Sequence, residues 1–210
     1  MLKVLTRQNH LEPAYEEMLR GRAKVFEGRM NWNVKVRDGK EYDWYDQTED
    51  PTYIVSFDNA DRVVGSLRVL PGTGPTMLAH EFRSTFRETI NIDCPTTWEC
   101  TRFCVHPAID GTLAPSPNVA GQLLSGLCDL ALSSGIENII GVYEPPMERI
   151  YRRLGWSPTL LAMSWPWLGT ICCGTWKVSI DTAEHLRRRF TDNGFPAPQA
   201  HSILCNGASL

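Results

Sequence analysis

Two stretches of this chain hold residues whose types and spacing could do chemistry. The first reads Arg22-x3-Phe26-x5-Trp32, then Glu41-x-Asp43-x2-Asp46, with Tyr42, Trp44 and Tyr45 among the carboxylates. Ring faces and carboxylates both stabilise positive charge, so this stretch suits a cationic ligand. A solvated acidic loop with aromatics anchored in the core has the same composition. The second is Trp98-Glu99-Cys100-Thr101-Arg102-Phe103-Cys104-Val105. A carboxylate inside an apolar strand is costly unless paired, so Glu99 is either an ion-pair partner or a functional group. Strict alternation puts Glu99, Thr101 and Phe103 on one face, and Trp98, Cys100, Arg102 and Cys104 on the other. Arg68 stands in another apolar strand, Val64-Gly-Ser-Leu-Arg68-Val-Leu-Pro71, where it faces solvent or a buried partner. Arg149, Arg152 and Arg153 on one short helix, and Arg187, Arg188 and Arg189 on the last, are a solvated face or a dock for an acidic partner.

The elements that must position these residues follow from pattern. The chain has 210 residues, 42% hydrophobic, enough for one domain over 1–210. A net charge of -3 and no basic arm argue against nucleic acid. The apolar start, residues 1–5, is too short for a secretory signal, so a cytoplasmic protein with reduced thiols is expected. The seven cysteines form no CxxC pair, and Cys104 with His106 lacks a second ligand pair, so no metal is expected. Residues 154–176 carry no charge, but Gly155, Pro158, Pro166, Gly169 and Gly174 punctuate them. That suits two buried strands with a turn near 166–169 better than a membrane span. Strands are expected at 2–5, 53–57, 63–70, 98–105 and 136–143. Helices are expected at 12–26, 77–86, 119–133, 146–154 and 182–190. Residues 109–118 read as a loop. A loop-rich cap covers about 20–50, and a tail about 195–210. The order implies an α/β (α+β) fold, a mixed sheet covered by helices.

From about residue 2 to residue 180, these blocks and their order resemble the LuxI-type acyl-homoserine lactone synthases, the autoinducer synthases. Arg22, Phe26, Trp32, Asp43, Asp46, Arg68, Glu99 and Arg102 stand at the family's eight spaced positions. Gly74-Pro-Thr-Met-Leu78, Met147-Glu-Arg-Ile150 and Gly155-Trp156 add further matches. The resemblance implies a GNAT-like mixed twisted sheet with helices on both faces, an N-terminal cap, and a thioester arm in a cleft between splayed strands. It implies transfer of an acyl chain, usually from acyl carrier protein, to the amine of S-adenosylmethionine. Lactone closure then releases methylthioadenosine and a quorum-sensing signal. S-adenosylmethionine is substrate, and no cofactor is implied. Binding of S-adenosylmethionine falls to Arg22, Phe26, Trp32, Asp43, Asp46, Arg68, Arg102 and Phe103. Catalysis falls to Glu99 as general base, with Arg102 and Asp46, and backbone N–H groups around 103–105 serve the oxyanion. The acyl pocket falls to Thr101, Leu123, Leu127, Val142, Tyr143, Met147 and Ile150, with contributions from residues 161–167. Arg149, Arg152 and Arg153 would dock the carrier. Thr101 stands where serine is common. Tyr143 stands where members using 3-oxo chains often have threonine, which argues against a 3-oxo preference. The alternative is an ordinary GNAT-type N-acyltransferase using acyl-CoA on another small amine. Its Gly-rich pyrophosphate loop is missing from Ser116-Pro-Asn-Val-Ala-Gly121.

Overall fold

Apolar strand runs pair into a sheet, and helices lay their apolar stripes on it. The structure, a computed structural model, describes residues 1–107 and 117–192. In chain order its elements are β1 (Leu2–Leu5), α1 (Pro13–Ala23), a π-helical turn (Lys24–Arg29), β2 (Val36–Arg37), β3 (Lys40–Glu41), α2 (Trp44–Thr48), β4 (Thr52–Phe57) and β5 (Val63–Pro71). Then follow β6 (Thr97–Val105), α3 (Pro117–Ser133), β7 (Asn138–Tyr143), α4 (Met147–Leu154), β8 (Thr159–Met163), β9 (Cys172–Lys177) and α5 (Ile180–Asp192). Seven strands join in the order β1-β4-β5-β6-β7-β9-β8, while β2 and β3 form a separate hairpin. The sheet is antiparallel except where β6 meets β7.

Alternate strand residues reach opposite faces. Leu2, Ile54 and Leu67 pack under Leu123, Leu124 and Leu127 of α3. Leu5, Tyr53 and Val55 pack under Tyr15, Met18 and Leu19 of α1. Helices thus cover both faces, as expected. The helix expected over 12–26 is α-helical only to Ala23, then widens into the π-helical turn. Gly155 ends α4 in the left-handed region at φ 85°, the C-terminal stop glycine supplies without strain.

Two expectations are corrected. Residues 77–86 are not a helix but successive turns, with Phe86 bridged to Ser164. The Met77 and Leu78 N–H groups are engaged by the Glu99 side chain, and Leu78 and Phe86 pack with Ile140 and Cys173. Of the two strands expected to be buried, β9 is buried but β8 exposes every residue except Ala162, because it is the edge of the sheet. The loop expected at 109–118 falls outside the described residues up to 116, and so does the tail at 195–210. Among the described residues, no helix is long and apolar enough to cross a membrane.

Candidate active site

The site begins where the sheet opens. β6 and β7 pair only through Thr97↔Asn138, Trp98↔Ile139 and Glu99↔Ile140. Beyond Glu99 the two strands run on without pairing, to Val105 and Tyr143. A cleft of about 670 Å³ lies there, with β6 and β7 among its walls.

A bulge in β6 decides what enters it. Ser66 pairs with Cys104 and Arg68 with Thr101, so Leu67 stands opposite two residues, Arg102 and Phe103. Arg102 takes up the extra residue in the left-handed region, at φ 53°. Strict alternation therefore fails at this point. Arg102 and Cys104 join Glu99 and Thr101 on the face toward the cap: Arg102 meets Glu41 and Cys104 packs with Val25 and Phe26. Phe103 turns to the α3 side, stacked 6.5 Å from Tyr151. Without the bulge, Arg102 would be driven into the apolar core.

Behind the cleft lies a buried ion network. Arg22 meets Glu41 through Nε at 2.6 Å and grips Asp46 through both terminal nitrogens at 3.1 and 2.8 Å. Arg68 donates to Asp43 at 2.6 and 2.9 Å, to Asp46 at 2.8 Å and to the Thr101 hydroxyl at 3.0 Å. Arg102 meets Glu41 at 3.1 Å and Asp43 at 3.0 Å. These three guanidinium and three carboxylate groups cancel in charge. Burial alone would raise the Asp46 carboxyl, but Arg22, Arg68 and the Tyr53 hydroxyl hold it well below the usual carboxylate range. The short helix α2 delivers this chemistry. Asp43 and Asp46 form its capping box, each accepting a backbone N–H of the other, while their remaining lone pairs face the arginines.

Glu99 is 1% exposed and lines the cleft. Its two oxygens accept from the Met77 and Leu78 N–H groups, each at 2.7 Å. Burial pushes its carboxyl up to about 7, against the downward pull of those two donors and of Arg68. Near it, the π-helical turn and a left-handed Asn31 (φ 54°) fold the chain back. Trp32 donates its N–H to the Phe26 carbonyl and stacks on the Phe26 ring at 5.2 Å. The Arg102 guanidinium sits 5.6 Å from the same ring centre. Trp32 stays 41% exposed, open to a ligand.

The structure sorts the expected site residues. Phe26, Trp32, Glu99, Thr101, Arg102, Phe103, Val142, Tyr143, Met147 and Arg153 line the cleft. Arg22, Asp43, Asp46 and Arg68 do not; they form the network that holds Arg102 and Thr101. Leu123 is buried beneath the sheet near Gly65 and does not line the cleft, nor do residues 161–167; Leu127 and Ile150 line it, and Leu124 joins them. Arg149 and Arg152 are exposed on α4, and Arg153 is exposed at the cleft's rim. Glu41 stood in the sequence only as one cap carboxylate, yet it is fully buried between two arginines. Its lone position on an otherwise polar hairpin carried no distinguishing signal. Met77 was also missed; its Sδ accepts from Arg68 at 3.2 Å and Arg102 at 3.4 Å.

A family model described as autoinducer synthase matches residues 6–171. The chain belongs to the autoinducer synthase family. An acyl-homoserine-lactone synthase from Rhizobium etli is 50% identical to this synthase over 204 residues, spanning 94% of this chain and 95% of the relative. The solved structure of a CoA-dependent acyl-homoserine lactone synthase, BjaI, with SAM and isopentyl-CoA, superposes with a TM-score of 0.79 at 23% identity. It covers 100% of this chain and 95% of that one. An acyl-CoA N-acyltransferase from Pseudomonas aeruginosa superposes at 0.52 with 13% identity, over 85% of this chain and 99% of its own. These two likenesses establish the fold, the GNAT-like mixed sheet with helices on both faces.

Proposed function

We propose that this synthase moves an acyl chain from acyl carrier protein to the amine of S-adenosylmethionine and closes the product to an N-acyl-homoserine lactone, releasing methylthioadenosine. The observation that carries the reading is Glu99: a buried carboxylate, lifted to about 7, on the wall of a cleft between parted strands. The amine must lose a proton before it attacks the thioester carbonyl. A carboxylate whose pKa lies near neutrality is suited to take it, directly or through a water. The edge of β6 that β7 leaves unpaired, around residues 103–105, offers backbone N–H groups to the oxyanion. Electrons from the nitrogen form the amide while the thioester sulfur departs. The carboxylate oxygen then attacks the γ-carbon, and the C–S bond breaks toward the sulfonium, which leaves as neutral methylthioadenosine.

The ring faces of Phe26 and Trp32 support placing the sulfonium and adenosine at the cap end. Arg102 supports placing the carboxylate. It is the cleft-lining arginine of the network, and its Nη1 donates to the weak thioether acceptor of Met77 at 3.4 Å. The acyl chain then runs along Leu124, Leu127, Val142, Tyr143, Met147 and Ile150. The reaction so written needs no cofactor. Exposed Arg149, Arg152 and Arg153 beside the mouth suit an acidic carrier. Incubation with S-adenosylmethionine and either acyl carrier thioesters or acyl-CoA tests the reading. Lactone and methylthioadenosine formed from the carrier thioester are expected. Turnover with acyl-CoA alone would replace the carrier as donor, and acylation of another amine without methylthioadenosine would overturn the reading.

A further inference from the structure

One peptide unit beside the cleft is held at both of its polar ends. The Thr76 carbonyl accepts from the Tyr45 hydroxyl at 3.0 Å. The N–H of the same unit, on Met77, donates to Glu99 Oε2 at 2.7 Å, and the next N–H, on Leu78, donates to Oε1. A peptide unit is planar, so fixing the direction of its carbonyl fixes the direction of its N–H. A donor at the carbonyl also polarises the unit and strengthens the bond its N–H makes. Tyr45 itself is 1% exposed and sits on α2, between Asp43 and Asp46, which are clamped by Arg22 and Arg68. The guanidinium of Arg68 lies 5.3 Å from its ring centre. The Tyr45 hydroxyl has one proton and a second acceptor, Oε2 of exposed Glu81 at 2.5 Å.

We infer that Tyr45 is a positioning residue for Glu99, acting through the Thr76–Met77 peptide, and that Glu81 competes with that peptide for the Tyr45 proton. The inference rests on Glu99 serving as the base. It joins the cap to the reacting centre: the helix that carries the carboxylates of the ion network also sets the two amide donors on the carboxylate that takes the proton. Donors to the ionised form favour that form. Removing the hydroxyl loosens them and makes Glu99 harder to ionise. Neutralising Glu81 works the other way, because a neutral amide oxygen accepts more weakly than a carboxylate, so the proton turns toward the Thr76 carbonyl, and a nearby negative charge is gone.

The test is the pH profile of kcat/KM in Tyr45→Phe and Glu81→Gln, read beside Glu99→Gln. Tyr45→Phe is expected to move the acid limb upward by roughly half a pH unit. The KM for S-adenosylmethionine should stay within about twofold, since Tyr45 does not line the cleft. Glu81→Gln is expected to move the limb downward by a smaller amount. A purely structural role would change the amount of folded enzyme and leave the limb in place. Superimposable limbs for wild type and Tyr45→Phe, or shifts of the same sign in both variants, would overturn the inference. Should Tyr45→Phe fail to fold, the sign for Glu81→Gln decides alone, and an absent or upward shift overturns it. Wild-type rates in Glu99→Gln would remove the base and this inference with it. An inactive Glu99→Gln with unmoved limbs elsewhere would remove only the inference.

Discussion

Each oxygen of the Glu99 carboxylate has two lone pairs, and the Met77 and Leu78 N–H groups occupy one apiece. In the proposed reaction the other lone pairs take the substrate proton. With the pKa raised to about 7, the carboxyl is mostly protonated below neutrality and ionised above it. The rate of acyl transfer is therefore expected to rise with pH through about 7, checked by kcat/KM across the range. Stability moves oppositely: a carboxyl raised from 4.5 favours folding below 4.5, and that contribution is lost as pH rises through about 7. Trp32 belongs to the same scale. Trp32→Ala should weaken S-adenosylmethionine binding about fivefold, as loss of a cation–π partner does, with little change in melting temperature for so exposed a ring. Calorimetric titration measures the first and thermal denaturation the second.

At the scale of elements, α2 and the β6 bulge make the site, and they were legible to different degrees. The carboxylates of α2 and the spacing of Phe26 and Trp32 stand out in the sequence because aromatic and acidic residues are crowded there. Which arginine each carboxylate meets was not legible, since the partners lie 19 to 61 residues away. The strands at 53–57 and 63–70 were legible from their apolar runs. The bulge was not: Arg102 and Phe103 share one partner, Leu67, only because of a register set across the sheet. The turns at 77–86 read as helix because their apolar spacing is helical, but a distant carboxylate, Glu99, takes the Met77 and Leu78 N–H groups, and later N–H groups bond back unevenly, Phe82 to Met77 and Thr85 to Phe82. The buried network makes α2 sensitive. Asp46→Ala strands two guanidiniums in the interior and should cost ~3–5 kcal/mol in denaturant unfolding, although Asp46 does not line the cleft.

At the scale of the whole molecule, the cleft opens beside a basic flank. Arg149, Arg152 and Arg153 are exposed on α4, and Arg189 of α5 reaches the Arg153 carbonyl. The chain as a whole has a net charge of -3, so this flank is a local feature. Reversing Arg149, Arg152 and Arg153 to Glu should raise KM for an acyl carrier thioester by about tenfold or more and flatten its dependence on salt, since rim charges act mainly on encounter. Steady-state kinetics at two ionic strengths measure both. The proposed reaction turns on proton transfer to Glu99 of β6, and one variant addresses it most directly. Methylthioadenosine and acyl-homoserine lactone are quantified by mass spectrometry for wild type and Glu99→Gln, with S-adenosylmethionine affinity measured on the same samples. Product formation slowed by ~10²–10⁴-fold with affinity retained is expected of a general base. Wild-type product formation in the variant would contradict it.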